Sequence, residues 1–175
     1  MRIGKKMSYL LRHGAEENGV AMSSDGYVLM ADLLNYLGSK TSIDLVHSIV
    51  ENNDKKRYEI KIEAGVEYIR AAQGHTITAV KTEELLTKIE DPFKYVYVVH
   101  GTYKEPLPLI MKGGLNKMAR NHVHMAIGMG KNGVISGMRA SCQIVVEINM
   151  IKAIYGPDKI PFYVSSNEVI LSEGL

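Results

Sequence analysis

The chain has 175 residues, of which 46% are hydrophobic and 23% charged, enough to bury the core of one large domain or two small ones. No apolar run nears the ~20 residues that cross a bilayer, and MRIGKK leads into an amphipathic helix rather than the apolar core of a secretion signal, so a cytoplasmic location with no membrane partner is expected. The net charge is +2, with 12 Lys/Arg against 13 Asp/Glu in residues 1–90 and 9 against 6 in residues 91–175; this excludes a polyanion binder held by bulk charge and leaves nucleic-acid contact to a few placed cations.

The first predicted element is a helix over about Lys5–His13. Its period puts Met7, Leu10, Leu11 and Gly14 on one side and Arg12 and His13 on the other. Two readings follow. Cations suit a helix C-terminus and Gly14 suits a left-handed residue after it, giving a solvated cap; alternatively, the two side chains are presented to a ligand. The turn SSDG precedes a helical pattern over Val28–Leu37. Ser42 is placed to cap a third helix carrying Ile43, Val46, Ile49 and Val50 inward. YEIKI and VEYIRA alternate as two strands around a three-residue EAG turn. Three helices followed by a hairpin is winged-helix order, which occurs in nucleic-acid readers and protein-contact modules alike.

Residues 81–94, KTEELLTKIEDPFK, are polar and contain Pro92, and they read as a linker between residues 1–80 and 95–175. Beyond them the chain turns strand-rich: YVYVVHG, a helical KEPLPLIMKGG, then HVHMAIG, SCQIVVEIN, PFYVSS and VILSEG. This pattern predicts an α+β lobe with a mainly antiparallel sheet. The lone Cys142 excludes an intrachain disulfide and a Cys-based zinc site, and QIVVEI beside it reads as a core strand.

Two motifs are decoys. GMGKNG, Gly128–Gly133, matches G-x-G-x-x-G, but VISGMRAS follows it with no helical period, so no helix N-terminus meets a pyrophosphate there and the glycines read as a loop. His122 and His124, two apart on a predicted strand, share a face with His100 nearby, yet no carboxylate or thiol cluster supports a metal; no metal site is expected. Arginine is more telling, because its planar fork suits bidentate phosphate binding. Of the six arginines, Arg57 in NNDKKRY falls between a helix end and the hairpin, and Arg120 in KMARNHVH falls just before a strand. Each alone reads as a solvated charge. Together with Arg12 and His13 they form a set at element ends, drawn from both halves, of the kind that a phosphate site between two lobes requires.

The ordered blocks SYLLRHG, DGYV, DKKRY, IRAAQGHT, VVHGTY, GLNKMARNHVHMA, SGMRASC, PFYVSSN and VILSEG, spanning about residue 5 to the C-terminus, closely resemble the NAD-dependent RNA 2′-phosphotransferase family. The resemblance implies an α+β chain with an N-terminal winged-helix RNA-binding lobe and a C-terminal ADP-ribosyltransferase-like lobe that binds NAD without a Rossmann fingerprint. It also implies the reaction. An internal RNA 2′-phosphate, such as one at a tRNA splice junction, attacks the nicotinamide-bearing ribose of NAD and expels nicotinamide; the 2″-hydroxyl then attacks phosphorus, giving 2′-OH RNA and ADP-ribose 1″,2″-cyclic phosphate.

By the same resemblance Arg12, His13, Arg57 and Arg120 are the catalytic set. His100, Gly101 and Thr102 of HGT hold NAD, with Ser136, Arg139, His124, Phe162, Ser165 and Asn167 as further NAD-site candidates. Gln73, Gly74 and His75 are implied supports of the junction between lobes. NAD is a co-substrate, no metal is required, 2′-phosphorylated RNA is the partner, and a monomer is expected. Two positions depart from the family pattern: Glu168 stands where Asn-Gly-Val is usual, and Thr76 where Ser is commoner. Two rivals remain: an ADP-ribosyltransferase that caps nucleic-acid phosphates and stops after the first step, and a winged-helix binder with no catalysis.

Overall fold

Residues 2–128 and 137–175 are described by the computed structural model. The loop reading of Gly128–Gly133 therefore lies outside the described residues apart from Gly128, and so does Ser136. The chain divides into two units, Met1–Leu85 and Leu86–Leu175.

In the first unit α1 (Ile3–Tyr9) runs directly into a π-helical turn, Leu10–Gly14. Met7, Leu10 and Leu11 have no exposed surface, as the helical period requires. Gly14, however, is not the left-handed residue after a helix. It lies inside the π-helical turn, and the chain continues right-handed at Ala15 (φ −59°). A Cβ on Gly14 would stand 2.5 Å from Tyr9 Cε1, so glycine serves there to let the Tyr9 ring lie close. The first left-handed glycine comes at Gly19 (φ +66°).

The pattern over Val28–Leu37 divides into β1 (Val28–Leu29) and α2 (Met30–Leu37). Val28 and Leu29 pair with Ile69 and Tyr68, and tertiary pairing overrides local helical period. Ser42 caps α3 (Ile43–Glu51), its hydroxyl accepting the Leu45 N–H at 3.2 Å; Val46 of that helix is fully buried whereas Ile43 is exposed. Strands β2 (Tyr58–Glu63) and β3 (Val66–Ala71) form the hairpin. Its loop is the two residues Ala64 and Gly65, one fewer than EAG, both left-handed (φ +49° and +77°), with Glu63 paired to Val66. Such a loop matches the right-handed strand twist. The antiparallel sheet runs β1-β3-β2, and Leu33, Val46, Tyr58 and Ile69 join α1 in one core. A short α4 (Thr82–Leu85) ends the unit.

The second unit is a six-stranded antiparallel sheet, β4 (Thr87–Lys88), β5 (Val98–Thr102), β6 (Val123–Ile127), β7 (Ile144–Ile148), β8 (Tyr163–Val164) and β9 (Val169–Ser172), ordered β4-β8-β9-β6-β5-β7. The helices are α5 (Leu107–Gly113) and α6 (Met150–Tyr155). The whole chain is thus α+β, mixing helices with antiparallel sheets. Residues 81–94 are built into α4, β4 and a 3₁₀ turn at Pro92–Lys94.

Two readings of this half change. QIVVEI is an edge strand, not a core strand: β7 has only β5 beside it and alternates half-buried and exposed residues up to Ile148, while Cys142 precedes it. His122 precedes β6, so the two histidines do not share a strand. Helix α6, MIKAIY, is apolar at all but Lys152 and too short to show a helical period, so pattern alone does not predict it; its start is marked by Asn149, whose side chain accepts the Lys152 N–H at 2.9 Å. No described helix is long and apolar enough to cross a membrane.

Candidate active site

In the first unit, His13 and Arg57, 44 residues apart in sequence, line one open cleft of about 940 Å³ together with Arg2, Lys5, Tyr9 and Asn53. Among the described residues no carboxylate lines it. Its walls are fixed to each other: the Tyr58 hydroxyl donates to the Gly4 carbonyl at 2.8 Å and lies 2.6 Å from Ser8 Oγ, tying β2 to α1. Arg57 is positioned by Asn53 at the end of α3, whose side-chain oxygen accepts the Arg57 backbone N–H at 3.1 Å and its Nη1 at 3.4 Å. Burial, and then the charge of Arg57, push the Lys55 ammonium below its ordinary pKa. Cations crowded in this way are relieved by a bound anion.

His13 is held by a residue that pattern reading did not single out for a role. Thr76 donates its backbone N–H to the Arg12 carbonyl at 2.9 Å and its hydroxyl to the same oxygen at 3.4 Å. The same hydroxyl lies within hydrogen-bond distance of His13 Nδ1, 3.0 Å away, and so holds the orientation of the imidazole ring. Ser and Thr share the hydroxyl, so the departure at position 76 preserves this function. Arg12, half-buried, packs across Gly74 (φ +92°), where a Cβ would stand 3.3 Å from its Nε. Gln73 and His75 are buried beside it in the loop after β3.

In the second unit the HGT block, His100–Thr102, is the C-terminal end of β5. His100 Nδ1 donates to the His124 carbonyl on β6 at 2.8 Å, and His124 Nδ1 to the His122 carbonyl at 3.0 Å. Both rings therefore carry a proton on Nδ1. Met138 occupies the space that a side chain at Gly101 would need, and Thr102 is buried with its carbonyl accepting the Gln143 N–H.

Arg120 and Arg139 lie outside the strands, both exposed as residues. Even so, crowding by neighbouring atoms and the charge of Arg139 hold the Arg120 guanidinium below its ordinary value. Arg139 in turn hydrogen-bonds Tyr103, whose phenol is lowered first by its 2.8 Å bond to Ser141 and then by Arg139. Two guanidinium groups near each other mark a second place where an anion is favoured. Phe162 has no exposed surface and sits in the hydrophobic core. Ser165 and Asn167 are buried in the β8–β9 loop, where Ser165 Oγ bonds Asn167 Oδ1 at 2.7 Å. Glu168, the departure from the family pattern, is exposed and left-handed (φ +60°). Among the described residues no group of three or more His, Cys, Asp or Glu is arranged to hold a metal ion.

Each unit thus carries its own group of cations, His13 and Arg57 in the helix-rich one and Arg120 and Arg139 in loops of the other. The model of the family described as RNA 2′-phosphotransferase, Tpt1 / KptA family, matches residues 1–174. The chain belongs to that family. Its sequence is 39% identical to tRNA 2′-phosphotransferase 1 of Danio rerio over 178 residues, covering 99% of this chain and 78% of the relative, and 34% identical to the tRNA 2′-phosphotransferase of Saccharomyces cerevisiae over 183 residues, covering 100% and 79%. It is 43% identical over 173 residues to a Schizosaccharomyces pombe protein that carries tRNA 2′-phosphotransferase as a provisional name; the match covers 98% of this chain but only 46% of that protein, so this chain spans less than half of that relative's length.

Proposed function

We propose that the chain removes an internal 2′-phosphate from RNA, tRNA included, by transferring it to NAD. In this reading residues 1–80 are a winged-helix RNA-binding lobe, residues 81–94 join it to residues 95–175, and the latter are an ADP-ribosyltransferase-like lobe that takes NAD as co-substrate. The observation that carries the reading is the cleft shared by His13 and Arg57, bordered among the described residues by cations and by no carboxylate, in a chain whose block resemblance assigns Arg12, Arg57 and Arg120 to the catalytic set.

A 2′-phosphate dianion must be oriented so that one oxygen attacks C1″ of the nicotinamide ribose while the glycosidic bond breaks and nicotinamide leaves. The forks of Arg12 and Arg57 suit that orientation, and Arg120 is the further arginine that the family resemblance assigns to the catalytic set. In the second step the 2″-hydroxyl attacks phosphorus, and the RNA 2′-oxygen departs with a proton. His13 is the group suited to take the proton from the 2″-hydroxyl and return one to the departing 2′-oxygen, with Thr76 holding its ring in position. Charge builds on the phosphoryl oxygens in this step, where guanidinium donors stabilise it. His100, Gly101, Thr102, His124, Arg139, Ser165 and Asn167 serve NAD, and Phe162 acts from the core beneath them.

The test is incubation of the protein with NAD and an oligoribonucleotide bearing one internal 2′-phosphate, with and without chelator. The expected products are nicotinamide, 2′-OH RNA and ADP-ribose 1″,2″-cyclic phosphate, formed equally in both conditions. Accumulation of ADP-ribosylated RNA alone would favour the capping rival. RNA binding with no release of nicotinamide would favour a non-catalytic binder.

A further inference from the structure

The cleft of the first unit extends well beyond the two residues that the reaction uses. Arg2, Lys5, Tyr9 and His13 follow one another at spacings of three, four and four residues, so they form one stripe along α1 and the turn that continues it. All four border the same cleft. At 1.5 Å per residue, Lys5 is ~12 Å and Arg2 ~16 Å from His13 along the axis, a few nucleotide rises away along a strand. Arg2 and Lys5 are thus spaced along the cleft for phosphates other than the one that His13 and Arg57 address.

Tyr9, between the cations and His13, is 40% exposed. Its hydroxyl donates to Glu17 at 3.0 Å, and its ring centre lies 6.1 Å from that of His13. Gly14 leaves room for that ring, so the ring is a positioned surface rather than a loose one. Among the described residues no carboxylate forms an ion pair with Arg2, Lys5 or Arg57. The face that nucleic-acid readers of winged-helix type would offer is different in kind. Helix α3, IDLVHSIVE, holds Asp44 and Glu51 and no Lys or Arg, and its His47 is paired with Glu67 at 2.7 Å.

From this arrangement we infer that the α1 stripe is a track for single-stranded RNA next to the 2′-phosphorylated nucleotide: Arg2 and Lys5 hold backbone phosphates, and Tyr9 stacks a flanking base. The inference rests on the reading above and deepens it. Extended RNA is the occupant that fits because the stripe sets two cations and then an exposed aromatic ring along one line, the combination that binds a strand without reading its sequence. Each phosphate contact gives a salt dependence near −0.7 in log K against log salt for a single strand.

The experiment measures binding by fluorescence anisotropy of a 2′-phosphorylated dinucleotide and of a longer single-stranded RNA with the same modified junction, alongside NAD-dependent phosphate release. The full chain is compared with Arg2→Ala/Lys5→Ala, with Tyr9→Ala and with the charge-preserving Arg2→Lys/Lys5→Arg. The double alanine variant is expected to weaken binding of the longer RNA about tenfold and to flatten its salt slope by roughly 1.4, while the dinucleotide weakens less than threefold. Tyr9→Ala is expected to weaken the longer RNA by severalfold, and the charge-preserving variant to restore binding. Equal losses on both RNAs, an unchanged salt slope, or an acidic peptide that competes as well as RNA would overturn the track. If the wild-type protein releases no 2′-phosphate but the length-dependent loss persists, the activity reading fails and the track stands; unchanged binding with turnover intact sinks the track alone.

Discussion

The two units collect positive charge by different means. In the first, Arg57 is held by a neutral side chain, Asn53, which fixes donor direction without cancelling its charge, and His13 is held by the neutral hydroxyl of Thr76. In the second, Arg120 and Arg139 are exposed loop residues recognised by their mutual electrostatic effect and by Tyr103, while the buried polar groups, Thr102, Ser165 and Asn167, lie on or between strands. The lesson is about rigidity. A charge that must act on one phosphoryl group benefits from neutral positioning partners, because a carboxylate partner would spend the charge that the transition state needs. In the second unit the candidate groups are instead spread over strands and the loops between them.

The largest expected effect falls on both units alike. Arg57→Ala and Arg120→Ala should each slow 2′-phosphate release by two to three orders of magnitude, about 3–4 kcal/mol of transition-state stabilisation, with near-native circular dichroism. Normal turnover by either variant would break the site assignment. Thr76 separates positioning from charge. Thr76→Val should lower kcat by roughly tenfold to a hundredfold and shift the pH–rate profile, whereas Thr76→Ser should stay within about threefold; equal losses in both would make the hydroxyl irrelevant.

Gly14→Ala tests the packing of the first unit. Alanine normally improves a helix interior by about 1 kcal/mol, but here the Tyr9 ring occupies the Cβ position, so a loss of ~1–3 kcal/mol in chemical denaturation is expected. A gain would contradict the close approach.

His122 gives the second unit its own pH signature. Burial is the main cause holding its imidazole below the ordinary value of 6.5, with Lys117 lowering it further and Glu173 opposing. The unfolded chain therefore takes up a proton before the folded one does, so stability is full above about pH 6.5 and falls as pH drops toward the folded value. His122→Gln should flatten that acid slope in pH-dependent denaturation; an unchanged slope would assign it elsewhere. The smallest effect belongs to Glu168→Gly. Relieving a left-handed non-glycine residue should stabilise the chain by about 0.5–1 kcal/mol, read as a small rise in Tm.

Much of the helix-rich unit was legible because period and capping act locally. Met7, Leu10 and Leu11 announce a buried face, and Ser42 announces a helix start. What local rules missed depends on distant partners. Val28 and Leu29 become a strand only because Ile69 and Tyr68 are there to pair, and Gly14 is explained by a ring five residues back rather than by backbone handedness. For the site, residue type singled out the arginines and the block resemblance assigned them roles. Thr76 escaped because a hydroxyl has no distinctive spacing, and its hydrogen bonds to residues 12 and 13 span more than sixty positions. Asn53 escaped similarly, since NNDKKRY reads as a polar turn until the fold aims its carbonyl at Arg57.

The most direct measurement follows the phosphate itself. With an RNA labelled at its internal 2′-phosphate, and with NAD present, the label should leave the RNA and appear wholly in ADP-ribose 1″,2″-cyclic phosphate, with one nicotinamide released for each 2′-hydroxyl formed. Label recovered as inorganic phosphate, or removed equally well without NAD, would contradict phosphate transfer by this cleft.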